Sequence, residues 1–196
     1  MTRSGDMKPA VEPSPLQSLL TDPILLPGST HLPSLQTLAI QVQHDLRYQH
    51  SWTDLRLHFR SPLTNEPLPR PLLSGLPPQR LYIHPDEQVA LLKTADQQRK
   101  ASKEKGANKP LEVTAEPEHE WILPTRLNEK WTLHRLSDVF GGIGMVPPAA
   151  ETAATEDMRP ANPWRTTKRV VLATVDPDST VVYYIVHDGV VKPRQN

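Results

Sequence analysis

KRVVLATVDPDSTVVYYIVHDGVVKP, residues 168–193, is two runs of β-forming residues around a turn. Asp176, Pro177, Asp178 and Ser179 carry the turn chemistry: proline presets φ and the aspartates bond nearby backbone groups. The reading is a C-terminal β-hairpin. Neither run alternates cleanly. Val170, Val171, Leu172, Ala173 and Val175 are apolar whichever face they take, and so are Val181, Val182, Tyr183, Tyr184, Ile185 and Val186. A strand apolar on both faces needs cover on both. The chain is poor in other hydrophobic strands, so part of that cover is expected from a partner polypeptide.

The chain has 196 residues, 22 prolines, 8 glycines, 5% aromatics and no cysteine. One ordinary domain fits that length. Proline at about twice its usual share (~5%) implies long irregular stretches beside a small core. With no cysteine there are no disulfides and no thiolate metal sites, which suits an intracellular protein. Basic and acidic residues balance at 22 each, so any nucleic-acid contact is expected to be local. No apolar stretch reads as a signal peptide or a membrane helix.

Upstream, residues 1–31 read as a disordered N-terminal arm, with a short docking segment at residues 23–27. Pro33 and Ser34 open a helix, the serine as a cap. Leu35, Leu38, Val42 and Leu46 form its apolar stripe. Residues 52–59 read as a strand, 62–78 as a proline-rich connector, and 79–84 as a short strand. A second helix starts at Pro85, Asp86 and Glu87, where the helix dipole favours carboxylates. It frays over residues 97–105 into a basic run, Arg99, Lys100, Lys103, Lys105 and Lys109. That run reads as a solvated connector or as an RNA backbone contact. Residues 120–123 form a strand. Leu133, Leu136, Val139 and Phe140 lie on a helix that stops at Gly141 and Gly142. The domain thus spans residues 32–196, with flexible insertions at about 97–118 and 145–163. The fold class is α+β, with a small mixed or antiparallel sheet, flanking helices and the long terminal hairpin.

Few residues suggest chemistry. Tyr82 and His84, two apart on the expected strand, share a face and form a candidate catalytic pair or a core edge. Gly141, Gly142 and Gly144 follow a helix instead of preceding one, so they stop it and do not cradle a phosphate. Asp176 and Asp178 are too few oxygens for a metal. They serve the turn, or they form an acidic tip that enters a basic pocket on another chain. No cofactor or metal is expected.

Residues 172–184, LATVDPDSTVVYY, followed by His187, Asp188 and Gly189, resemble the C-terminal motif of the small structural subunit, subunit fifteen, of the eukaryotic tRNA-splicing endonuclease. Residues 75–78, GLPP, and 81–88, LYIHPDEQ, resemble that subunit's other signature in fungi. The resemblance covers about residues 32–193. It implies the nuclease-like domain of the tRNA-intron endonucleases and a place in a heterotetramer that excises introns from precursor tRNA. The implied direct partner is the catalytic subunit that cuts the 3′ splice site, with the other catalytic and structural subunits beyond it. The implied contacts are Val182, Tyr183, Tyr184 and Val186 in the last strand and the acidic loop of Asp176, Pro177, Asp178 and Ser179. Catalytic members use a tyrosine, a histidine and a lysine. Lys168 lies near the lysine's place, but no strand carrying the other two precedes it, so no catalytic residue is assigned. Arg99, Lys100, Lys103, Lys105 and Lys168 are the candidate RNA contacts. Self-association of the isolated chain is a further expectation. The implied compartment is the nucleus, with the cytoplasm or the mitochondrial outer surface as alternatives.

Overall fold

The computed structural model describes residues 12–15, 17–18, 31–104, 115–148 and 162–190. Among residues 31–190 that are described, the helices α1 (Pro33–Tyr48), α2 (Pro85–Glu104) and α3 (Leu133–Gly141) accompany one five-stranded sheet. Its strands are β1 (Thr53–Arg60), β2 (Pro67–Leu76), β3 (Glu120–Arg126), β4 (Arg169–Val175) and β5 (Val181–His187), in the spatial order β1-β2-β3-β4-β5. The β3–β4 pair is parallel and the others are antiparallel. This is a mixed sheet in an α+β chain.

The parallel pair is the centre. Glu120 to Thr125 and nearly all of β4 are buried, as a strand covered on both faces must be. One face packs under α1, where Leu38, Val42 and Leu46 meet Leu73, Ile122, Val171, Ala173 and Val175. The other packs under α3, where Val139 and Phe140 meet Leu72, Trp121, Leu123 and Val170. The apolar spacings that predict α1 and α3 mark buried faces at Leu38, Val42, Leu46, Val139 and Phe140, whereas Leu133, expected on the same stripe, is exposed at the start of α3. Pro33 sits in the first turn of α1, but Leu32 occupies the cap position and no side chain caps it, so the expected serine cap is absent. Thr132 caps α3 by accepting from the Arg135 N–H.

Three more expectations are corrected. The proline-rich connector contains β2, one of the better buried strands. Its prolines are tolerated because β3 pairs only with Leu73, Ser74 and Gly75. Pro67, Pro69 and Pro71 lie in the half flanked by β1 alone, where a missing N–H interrupts no second ladder. Gly75 permits close packing: a Cβ there would lie 2.6 Å from Leu55 Cδ2 and force that side chain to shift. Residues 79–84, in contrast, form no strand, so Tyr82 and His84 share no strand face. Arg80 holds this loop by donating to the Tyr82 carbonyl at 3.2 Å. The second helix runs on through Arg99, Lys100 and Lys103 to Glu104, so the first part of the basic run is helical and not a connector. Lys105, Lys109, the 23–27 segment and most of the expected arm and insertions lie outside the described residues.

Between the layers, His58 Nε2 lies 2.8 Å from Ser74 Oγ, and its ring meets Trp121 edge-on. Burial, helped by the Arg56 charge, pushes the imidazole down to about 4. An unfolded chain takes up this proton below its ordinary value of 6.5, while the folded chain resists until about 4. Stability from this site is thus complete above pH 6.5 and lost as pH falls towards 4. The unfolding free energy from denaturant titrations should fall by about 2 kcal/mol across that window, after allowance for partial solvent screening. His187, which burial also depresses, adds to the same slope. His58→Gln should flatten the slope in part; an unchanged slope would remove His58 from the account.

Candidate functional site

The two edges of the sheet differ. β1 is interrupted by register shifts between Thr53 and Arg56 and again between His58 and Arg60. Asp54 has φ +48°, and Asp54, Arg56 and Arg60 put charge along the strand. Bulges and charges of this kind blunt an edge against further pairing. β5 has neither. Its seven residues pair with β4 in unbroken register, from Arg169↔His187 to Val175↔Val181. Val181 to Val186 carry no charge and no proline.

Register also places the side chains. Val181, Tyr183 and Ile185 stand opposite Val175, Ala173 and Val171, on the α1 face. Val182, Tyr184 and Val186 stand opposite Thr174, Leu172 and Val170, on the α3 face. On the α1 face Val181 and Tyr183 pack on the core. The Tyr183 hydroxyl donates to Asp45 Oδ2 at 2.5 Å, and His50 lies 3.5 Å from the same oxygen. Burial, and then the bond to Asp45, raises the Tyr183 hydroxyl well above its usual range. This pins β5 to the end of α1. The α3 face is less covered. Val186 packs on the core, but Val182 is 43% exposed and Tyr184 57%. Ile185 is 37% exposed on the other face. Among the described residues no strand pairs with the outer side of β5, so the sequence-expected residues form an uncharged sheet edge with apolar groups on both sides.

The adjoining turn is acidic and closed by hydrogen bonds. The Asp176 N–H donates to the Thr180 carbonyl, and the Ser179 N–H to the Asp176 carbonyl, both at 2.9 Å. Asp178 Oδ1 accepts from the Thr180 N–H at 2.8 Å. That bond holds the Asp178 carboxyl below its ordinary range. Ser179 takes φ +73°, and Pro177, Asp178 and Ser179 are exposed.

Three of the candidate RNA contacts have partners within the chain. Lys168 Nζ donates to the Phe140 carbonyl at 2.7 Å, at the C-terminal turn of α3, where a cation satisfies a helix end. Arg99 and Lys100 both bind the Asp96 carboxylate, at 3.1 and 2.7 Å. Lys103 is helical and Lys105 lies outside the described residues. Tyr82 packs against His187 and beneath Arg169, and His84 stacks on Trp164.

Sequence reasoning missed a buried ionic cluster at the N-terminal ends of β3 and β4. Arg169 bonds Glu120 through Nε at 3.0 Å and through Nη2, and reaches Glu118 at 2.8 Å. Arg165 bonds Glu120 at 3.1 Å and Glu118 at 3.2 Å. Arg80 bonds Glu118 at 2.8 Å and Glu87 at 2.9 Å. Asn162 donates to Glu118 at 2.8 Å. Burial raises the Glu118 carboxyl, but Asn162 and the three arginines outweigh it and hold it low. The available signal was charge at matching points of two apolar strands: Glu118 and Glu120 lead into β3, and Arg165 and Arg169 into β4. A second ionic cluster lies by α3, where Glu129 binds Arg70 at 2.8 Å and Arg135 at 2.6 Å. Burial pushes the Glu129 carboxyl up, but the two arginines prevail and hold it at about 2.

Among the described residues, no helix is long and apolar enough to cross a membrane. No group of three or more His, Asp or Glu there is placed to hold a metal ion.

A family model described as Sen15 protein matches residues 41–196 of the chain. The probable tRNA-splicing endonuclease subunit tsp-1 of Neurospora crassa is 42% identical over 165 residues, which cover 83% of this chain and 67% of that protein.

Proposed function

The chain belongs to the Sen15 protein family, and from that premise we propose that it is a structural, non-catalytic subunit of the endonuclease that excises introns from precursor tRNA. The relative in Neurospora crassa carries the name of a tRNA-splicing endonuclease subunit, and the reading extends that role to this chain. In it, residues 32–196 form one unit with the fold of the tRNA-intron endonuclease C-terminal domain. β5 pairs with the last strand of the catalytic subunit that cuts the 3′ splice site. The turn of Asp176, Pro177, Asp178 and Ser179 enters a neighbouring subunit, the other subunits complete a heterotetramer, and the complex works in the nucleus.

The observation that carries the proposal is the contrast of edges: β1 is blunted, while β5 offers a straight, uncharged ladder. Unmet backbone N–H and C=O groups flanked by exposed apolar side chains suit strand addition. The non-catalytic part is supported by Lys168, whose amine is tied to the Phe140 carbonyl, and by Tyr82 and His84, which are packed on other rings. A degenerate nuclease would need all three groups free to meet one phosphate.

Two assays test this. Co-expressed with the other subunits of its organism's endonuclease, the full chain should co-purify with the 3′-cutting subunit. Alone, it should leave intron-containing precursor tRNA intact. Cleavage by the chain alone that disappears with Lys168→Ala would assign it a nuclease role. Failure to co-purify with any subunit would overturn the assembly role.

A further inference from the structure

A cleft of about 180 Å³ opens between the first turn of α1, the proline-rich half of β2 and α3. On that measure one water needs about 10–15 Å³, so the space is wide enough for a side chain. Leu35, Pro69, Trp131 and Val139 give it apolar walls, and Arg70 and Arg135 line it with guanidiniums. Both guanidiniums lie against the Trp131 ring, with their central carbons 5.1 and 4.6 Å from its centroid.

The two arginines share one carboxylate. Arg70 Nη1 and Arg135 Nη2 both donate to Glu129 Oε1, at 2.8 and 2.6 Å. The Thr125 hydroxyl donates to the other oxygen at 2.9 Å. Arg70 is only 4% exposed, and its buried Nε–H has no acceptor among the described residues. A charged donor left unpaired in the interior is costly, so this N–H marks a place for an acceptor. Burial weighs against the Arg70 cation, Glu129 favours it and Arg135 opposes it, and the group is held below its ordinary range. One more anion would offset that.

The surrounding charge allows a single anion. Lys130 joins the two arginines on one turn, where its carbonyl accepts from Arg135 Nη1 at 2.6 Å. These three cations face Glu129 and Asp138, which leaves one positive charge over. Asp138 is half exposed and lies 3.6 Å from His134 Nδ1, so solvent screens it. The first turn of α3 holds no acid, and the positive end of its dipole adds to the surplus. Shape then selects the carrier. A nucleic-acid phosphate is flanked by a ribose on each side and cannot follow to a guanidinium this well covered. A glutamate reaches it on two methylenes, which the apolar walls suit.

We propose that the Arg70–Arg135 cleft receives a glutamate side chain of a partner polypeptide, its carboxylate bound to both guanidiniums. This goes beyond the strand pairing proposed for β5, since two strands separate β5 from β2.

The test uses the full chain, isotope-labelled for NMR, with the blocked peptide N-acetyl-Leu-Glu-Leu-amide as probe. The peptide should shift the Arg70 Nε–H and Trp131 indole N–H resonances and slow exchange of the Arg70 Nε–H with water. The same peptide with glutamine in place of glutamate should bind about tenfold more weakly or worse, the usual worth of a hydrogen bond to a charged group. Arg135→Gln should lose a similar factor, and Arg135→Lys, which keeps the charge without the fork, should lose less. If these variants fold poorly, the wild-type resonances decide. No shift at the Arg70 Nε–H with saturating peptide, or equal binding of the glutamine peptide, would overturn the proposal. So would a single-stranded RNA oligonucleotide that moves these resonances when the peptide does not. Co-purification with the 3′-cutting subunit is read separately, so failure of the cleft would leave the β5 assembly role standing.

Discussion

Glu120→Ala should cost about 3–5 kcal/mol, the usual result of removing one partner from a buried ionic cluster. Glu120 is nearly inaccessible and binds both Arg165 and Arg169. Its loss leaves two buried guanidiniums to share Glu118, which already serves Arg80. For a chain of this size that is a fall of roughly 6–20 °C in Tm, read by circular dichroism. The effect should spread beyond β3. Arg80 and Glu87 tie the start of α2 to this point, and Asn162 and Arg165 tie the approach to β4. The paired change Glu120→Leu with Arg169→Leu should restore part of the loss, since it removes charge of both signs together. A Glu120→Ala chain within about 1 kcal/mol of wild type, less than even a typical point mutation costs, would mean the cluster is not a stabilising centre.

The second large effect is on assembly. Val182→Lys with Tyr184→Lys puts two ammonium groups on the open face of β5. Both side chains are substantially exposed in the single chain, so its own stability should change by no more than about 0.5 kcal/mol per site. Within a complex each ammonium would be buried without a partner, at several kcal/mol apiece. Affinity for the catalytic subunit should drop on the order of 10³-fold or more, enough to abolish co-purification. The matching change on β1, Arg56→Lys, should leave assembly alone. If the double-lysine chain still joins the complex, β5 is not the docking edge.

The contrast between these sites explains what a single sequence revealed. β4 and β5 were legible because a run of β-formers around Asp176 and Pro177 has few other outcomes. α1 and α3 were legible because Leu38, Val42, Leu46, Val139 and Phe140 repeat at helical spacing. β2 was not, because Pro67, Pro69 and Pro71 argue against a strand unless its neighbours are known; only the absence of β3 beside them makes them harmless. The ionic cluster was hidden for a related reason. Glu118, Glu120, Arg165 and Arg169 look like solvated charges until the parallel pairing of β3 and β4 sets them side by side. Tyr82 and His84 misled in the opposite direction: their spacing predicts one strand face, and a loop turned them to different aromatic neighbours. The bond from Tyr183 to Asp45 spans 138 positions, beyond any local pattern.

The bulged first strand has a bearing on stoichiometry. A sheet that accepts company along one margin only behaves as a terminator. It closes a growing ladder after a single addition and gives a fibre nothing to propagate from. Asp54 with its positive φ and the two slips in β1 therefore do more than finish a fold. On the proposed reading, in which β5 is the docking edge, they would limit an assembly built through this sheet to one neighbour and keep it finite.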